Sequence, residues 1–268
     1  MVGPLTEHIR RWDQAAVDRA PLIPWLELVY EPVTAWMIEA AHLRPGSRVL
    51  EVGAGSSAPS MRAAELIGPG GHVVASDISA SALALPAAEG SHATISLVRC
   101  SMDRLPFEGA TFDVAFSRWA IGRCGNPAPS ICEVRRVLLP GGILLVADWS
   151  HDENAWAMLP NAVLRNLLVE TESAPTTIDI AMLLEQCGFV IAERRRITVR
   201  FEFDGVDDLL STLLVLSARF REHCRTSGKP TEDLLTAVDC ASRKHIDDEG
   251  RRTIVADVVG IKAYSQVS

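Results

Sequence analysis

Arg48-Val49-Leu50-Glu51-Val52-Gly53-Ala54-Gly55-Ser56-Ser57-Ala58 reads as a short apolar strand running into a glycine-rich turn, with a helix opening behind it. Glycine in such a turn permits positive φ and lets a ligand come close to the backbone. Outward from this stretch, apolar runs recur at 72–76, 94–99, 113–117 and 142–147, separated by helix-like stretches such as 58–67 and 130–138. That spacing predicts right-handed strand–helix–strand crossovers in a parallel sheet covered on both faces. Upstream, 5–20 and 32–42 read as helices. The second carries Val33, Trp36, Met37, Ala40 and Ala41 on one face and is stopped by Pro45-Gly46.

After Asp148 the pattern changes. Residues 153–170 and 176–187 look helical, 189–203 is a long strand candidate and 253–264 another. About 50 residues of amphipathic helix separate those two strands, too long for a turn and the expected lid, 205–250. Its apolar positions Leu209, Leu210, Leu213, Leu214, Leu216 and Phe220 suit ordinary core packing as well as a pocket wall.

With 34 acidic against 26 basic side chains the net charge is −8, which opposes a phosphate backbone and argues against a nucleic-acid partner. The one basic run, Arg194-Arg195-Arg196, reads as a solvated strand edge. No stretch approaches the roughly 18 apolar residues of a membrane span, and residues 1–19 lack the features of a secretory signal, so a cytoplasmic protein with no membrane partner is expected. Cys100, Cys124, Cys132, Cys187, Cys224 and Cys240 are scattered without metal-binding spacing and read as reduced thiols, with no metal.

Gly53-x-Gly55-x-x-Ala58 also satisfies the dinucleotide fingerprint, and Asp77 stands at the distance of a ribose ligand in either case. Glu51 discriminates. It occupies a position that is normally apolar in a dinucleotide site, and a carboxylate there favours a cofactor carrying cations over one carrying a diphosphate. Neither tyrosine, Tyr30 or Tyr264, is followed four residues later by a lysine, so a short-chain dehydrogenase pair is missing.

Val49 to Gly55, Val73-Val74-Ala75-Ser76-Asp77-Ile78-Ser79, Leu105-Pro106-Phe107 to Phe112-Asp113, and Glu133 to Gly142 together resemble the class I S-adenosylmethionine-dependent methyltransferases of the ubiquinone/menaquinone-biosynthesis type and their natural-product tailoring relatives. The resemblance implies an α/β fold: a Rossmann-like, doubly wound, mostly parallel seven-stranded sheet with an N-terminal helical segment (1–42), a cofactor-binding core (43–150) and a remainder (151–268) holding substrate-side helices, the last two strands and the lid, all one structural domain. It implies S-adenosyl-L-methionine as cofactor and a small-molecule acceptor, such as a secondary metabolite. Gly53, Ala54 and Gly55 would approach its methionine portion with Glu51 near the ammonium; Asp77 would take both ribose hydroxyls and Ile78 pack on adenine. Met102 follows the adenine-contacting position, Ser117 would close the site, and Pro140-Gly141-Gly142 would be a turn before the fifth strand.

The chain departs from the family pattern at Ser57, where relatives carry a third glycine, and at Ser101, where they carry an aspartate. Ser57 reads as a helix cap. Ser101 keeps one acceptor for the adenine amino group but loses the charge, with Asp103 nearby. Asn126 reads as an N-cap with Pro127 at the first helical position. Methyl transfer is an in-line displacement in which a base is useful but not compulsory. His151, past the fifth strand, is the candidate base. Arg118 and Trp119 are candidates for orienting an acidic or aromatic substrate, with core packing open for Trp119; Tyr30 and Trp25 are candidates for the pocket wall; His223 and His245 are expected at the surface. Two further readings stay open: a cofactor-binding protein with a non-methylating reaction such as a cyclisation, and a nicotinamide dehydrogenase.

Overall fold

In a computed structural model, residues 4–87, 94–150, 154–167 and 179–266 are described. Five strands, β1 (Arg48–Val52), β2 (His72–Asp77), β3 (Ile95–Arg99), β4 (Phe112–Arg118) and β5 (Leu138–Trp149), alternate with α3 (Ala58–Ile67), α4 (Ala80–Ala87) and α5 (Ala128–Val137). The late strands β6 (Phe189–Phe203) and β7 (Arg252–Ser265) complete a seven-stranded sheet in the order β3-β2-β1-β4-β5-β7-β6. Parallel ladders join β1 to β2 and β4, β2 to β3, and β4 to β5. The winding reverses between β1 and β4, so a crevice opens at their carboxyl ends, where doubly wound sheets bind ligands. Val49 to Val52 are all buried, as expected for a central strand covered on both faces.

The chain forms two compact units: Met1–Asp148 with Ile178–Ile197 and Val258–Ser268, and Trp149–Thr177 with Thr198–Asp257. The first holds β1 to β4, with Leu50, Val52, Ala115, Ile131, Val134, Leu144, Leu184, Phe189 and Ala263 in one apolar cluster. Helix α7 (Ile180–Gln186), capped by the Asp179 side chain on Met182 N–H, packs on α5. The first helix falls where the periodicity places it and the second starts earlier: α1 (Pro4–Arg19) passes through one 3-10 turn (Ala20–Leu22) into α2 (Ile23–Ala41). Pro24 lies in the first turn of α2, where its missing N–H costs little, and Pro32 is carried inside the helix.

The second unit consists of α6 (Ala155–Asn166), α8 (Val206–Leu216), α9 (Ala218–Ser227), α10 (Thr231–Ser242) and the adjoining parts of β6 and β7. Leu209, Leu210, Leu213 and Phe220 are buried and Leu214 and Leu216 partly so; α10 packs on α6 and α8. Trp156 stacks on Phe201 with centroids 4.1 Å apart. Residues 205–250 thus share a core with α6. His223 and His245 are half-buried. Arg194, Arg195 and Arg196 are exposed on β6, the edge strand.

Two local expectations are corrected. Pro140-Gly141-Gly142 falls within β5 and not before it: the pairing with β4 shifts register there, from Phe112 opposite Leu138 to Val114 opposite Ile143. Helix α5 begins at Ala128 rather than Pro127; Pro127 is the cap residue, and the Asn126 side chain accepts only from Ala128 N–H at 3.4 Å. No helix among the described residues is long and apolar enough to cross a membrane, and none of their His, Cys, Asp and Glu side chains group to hold a metal.

Candidate functional site

The carboxyl ends of β1 to β4 enclose a cavity of about 470 Å³ within the first unit. Of the expected set, Gly53, Asp77, Ile78, Ser101, Met102 and Trp119 line it; Glu51, Ala54, Gly55, Ser117, Tyr30 and Arg118 do not. Asp103 lines it beside Ser101. His151 lies outside the described residues.

Asp77 closes β2 with its carboxylate on the cavity wall. Oδ2 accepts from Gly55 N–H at 3.0 Å and Oδ1 from Ser79 N–H at 2.8 Å. Burial raises its pKa, against the backbone N–H groups of Ser79, Gly55 and Ile78. A carboxylate has about four acceptor positions, more than these backbone donors fill. Gly55 therefore orients the carboxylate from behind. Gly53, at φ +65°, has a different reason to be glycine: a Cβ there would stand 2.3 Å from Ala120 Cβ.

Glu51 turns the other way. Its carboxylate is 1% exposed, and Oε2 accepts from Ser60 N–H at 3.0 Å and Ser60 Oγ at 2.6 Å in the first turn of α3. Burial pushes its carboxyl up to about 7, although Ser60 and the Arg118 charge pull it down. Ser117, fully buried, accepts from Ile121 N–H at 3.1 Å and fixes the turn after β4. Ala54 N–H donates to Ser76 O, and its side chain is buried.

Arg118 is consumed by an intramolecular pair. Its two terminal nitrogens donate to Glu27 Oε2 and Oε1 at 2.8 and 2.7 Å, and Nη1 also donates to Thr34 Oγ1 at 2.8 Å. Ser56 Oγ donates to Glu27 Oε1 at 2.5 Å. The guanidinium lies 5.7 Å from the Tyr30 ring and 5.4 Å from that of Trp119, and the two rings are 4.1 Å apart. Burial pushes the Tyr30 hydroxyl up to about 12. Trp119, at φ +54°, is thus held where its indole meets the cavity.

Ser57 is the N-cap residue of α3 but makes no capping bond. It is fully buried at φ +59°, and Oγ has no hydrogen-bond partner among the described residues. A left-handed conformation here gives a physical reason for glycine in the resembling family.

The sequence reading finds α1 as a helix but assigns none of its residues to the site. His8 and Trp12 line the cavity, with Trp12 Nε1 donating to His8 Nε2 at 3.2 Å. Asp13 anchors the helix: it accepts from Ser79 Oγ at 2.8 Å and Ser81 N–H at 3.2 Å, and those two bonds hold its carboxyl below the usual range. The signal lay in Asp13 and Trp12 being neighbours on a helix with a serine-rich partner after β2.

Comparison with known proteins gives the same reading of the core. Residues 50–146 match the family model described as a methyltransferase domain. The ubiquinone/menaquinone biosynthesis C-methyltransferase UbiE of Ectopseudomonas mendocina is 31% identical over 121 residues, 44% of this chain and 47% of that protein. The Pseudomonas aeruginosa protein of the same name is 32% identical over 137 residues, 46% and 54%. The chain spans about half the length of the relatives it matches. Among solved structures, a Bacillus halodurans protein assigned to the methyltransferases aligns with a TM-score of 0.60 at 21% identity, over 87% of this chain and 99% of that one. The [4+2]-cyclase SpnF aligns at 0.56 and 20%, over 88% and 81%. At these identities the structural likeness concerns the fold alone. Motif, topology and the family match together make residues 50–146 a methyltransferase domain of the class I, S-adenosylmethionine-dependent type.

Proposed function

We propose that the chain transfers the methyl group of S-adenosylmethionine to a small-molecule acceptor, with a quinol-like or phenolic ring as the first class to test. The observation that carries this reading is the Asp77 carboxylate, held on the wall of a strand-end cavity by backbone N–H groups, with lone pairs to spare. The cavity volume falls in the range of small-ligand clefts, roughly 300–1,000 Å³. The residues fit the cofactor: Asp77 would accept from the ribose hydroxyls, Ile78, Met102 and Trp12 offer apolar surface to a purine, and Ser101 and Asp103 offer acceptors for its amino group. When bound, the cofactor supplies an electrophilic methyl on a sulfonium. The chain's part is positioning: Gly53 leaves room beside Ala120, and the Tyr30–Arg118–Glu27 cluster holds Trp119 at the wall. The acceptor class follows from the names of the matched relatives, which are C-methyltransferases of quinone biosynthesis. The net charge of −8 disfavours a nucleic-acid acceptor.

Titration calorimetry with S-adenosylhomocysteine and with NAD tests the cofactor, and S-adenosylhomocysteine release in the presence of a quinol acceptor tests the transfer. Binding of NAD alone overturns the proposal. Conversion of an acceptor without S-adenosylhomocysteine assigns a non-methylating reaction such as a cyclisation instead.

A further inference from the structure

Away from the cavity, two cysteines 55 residues apart in sequence stand with their sulfurs 2.9 Å from each other. Cys132 is exposed on α5; Cys187, half-buried, is the C-cap residue of α7. Cys132 donates to Cys187, and Cys187 donates onward to Ala128 O at 3.7 Å. The backbone on both sides is tied down: Cys187 N–H donates to Leu183 O at 3.0 Å, Arg135 Nε to Gly188 O at 3.0 Å, and Arg135 Nη2 to Gln266 O at 2.7 Å. The closeness is built into the packing of α5 on α7 and does not depend on a loose loop. From these contacts we infer that Cys132 and Cys187 are a modification site, closed reversibly to a disulfide by a peroxide oxidant.

A disulfide bond is about 2.05 Å long, so closure moves the sulfurs less than 1 Å, within reach of small side-chain rotations. The division of labour follows from exposure and charge. Burial, together with Cys132 itself, pushes the Cys187 thiol up to about 12, so Cys187 stays protonated while Cys132 faces solvent. The Cys132 thiolate attacks one oxygen of hydrogen peroxide, giving a sulfenic acid and, with a proton from solvent, one water. Cys187 then loses its proton and attacks the Cys132 sulfur, and hydroxide leaves as a second water. Two thiols and one peroxide become one disulfide and two waters. Once Cys132 is a sulfenic acid, its contribution to the raised Cys187 pKa is gone, which favours the second step. Cys124 offers a contrast, since its sulfur faces the Met102 thioether at 3.4 Å, which cannot form a disulfide.

The full chain is treated with hydrogen peroxide, blocked with N-ethylmaleimide and mapped by mass spectrometry without reduction. The expected product links Cys132 to Cys187, is absent in Cys132→Ser and in Cys187→Ser, and reverts with dithiothreitol. Because the bridge closes a long loop of the unfolded chain, the oxidised protein should melt about 5 °C or more above the reduced one, and Cys132→Ser should show no such rise. Recovery of Cys132 as sulfinic acid with Cys187 a free thiol overturns the inference, as does linkage of either to another cysteine or a lowered melting temperature on closure.

Discussion

The ends of β2 and β4 both carry a charged side chain at the mouth of the sheet, and they use it in opposite ways. Asp77, closing β2, is held by backbone N–H groups, which carry no full opposing charge. Arg118, closing β4, meets the Glu27 carboxylate in a two-point pair and is spent inside the protein. Proximity to the strand end does not make a charged group a ligand-binding one; the identity of its partner does. Backbone donors orient a carboxylate and leave lone pairs, whereas an opposite charge on another helix takes both the geometry and the field.

The harshest test of that contrast removes Arg118. Its side chain is 6% exposed and that of Glu27 24%, so Arg118→Ala leaves a carboxylate and the Thr34 hydroxyl poorly solvated, at a cost of about 3 kcal/mol in unfolding free energy. Urea denaturation measures it. The double variant Glu27→Gln with Arg118→Met should recover most of the loss, because no charge is then left unpaired. A loss below about 0.5 kcal/mol accompanied by weakened acceptor binding would return Arg118 to the role of substrate ligand.

Asp77→Ala should show the reverse profile. Two charge-assisted hydrogen bonds to a ligand, each about 1.5–3 kcal/mol before water compensates, lead to a several-fold to hundredfold weaker affinity for S-adenosylhomocysteine. The fold should persist by circular dichroism. An unchanged dissociation constant would show that the end of β2 is as closed to ligand as the end of β4.

Glu51, at the end of β1, falls between the two, and pH separates it from them. Its carboxyl titrates near 4.5 when unfolded and at about 7 in the fold, so the native state holds the proton more tightly. A raised carboxyl pKa gives stability that is present below pH 4.5, falls as pH rises toward about 7, and is flat above, by on the order of 3 kcal/mol. Glu51→Gln keeps an acceptor for Ser60 and should remove that slope. Parallel stability curves for the two proteins between pH 5 and 8 would mean that Glu51 is already charged in the fold.

The parallel strands are legible in the sequence because buried strands leave apolar runs, and Gly53 and Asp77 because a turn and a strand end fix them locally. Trp12 and Glu27 are not. Glu27 meets Arg118 across 91 residues, and no periodicity announces a pair between a helix and a strand end. The first half of α2 is hidden by Pro21, Pro24 and Pro32, which read as breakers although one lies in a first turn and one is absorbed inside the helix. Residue type reveals that Glu51 carries a charge; it does not reveal that Ser60, nine positions on, turns that charge inward.

The smallest expected effect concerns the turn between β1 and α3. Ser57 holds a left-handed φ of +59°, and its hydroxyl is fully buried with no partner among the described residues. A non-glycine residue in that conformation costs about 1 kcal/mol, and an unsatisfied buried hydroxyl adds to the cost. Ser57→Gly relieves both. Against this, glycine gains freedom in the unfolded chain, roughly 0.5–1 kcal/mol, and leaves a void of one hydroxymethyl group. The strain and the orphaned donor outweigh those losses by a small margin, so the variant should be more stable by about 0.5–1 kcal/mol, read as a higher urea midpoint at an unchanged slope. Ser57→Ala completes the comparison: it removes the hydroxyl but keeps the strained φ, and so should fall between wild type and glycine. A destabilised glycine variant beside a neutral alanine variant would mean that the hydroxyl is idle and the turn unstrained, and the departure from glycine at this position would then have no energetic signature.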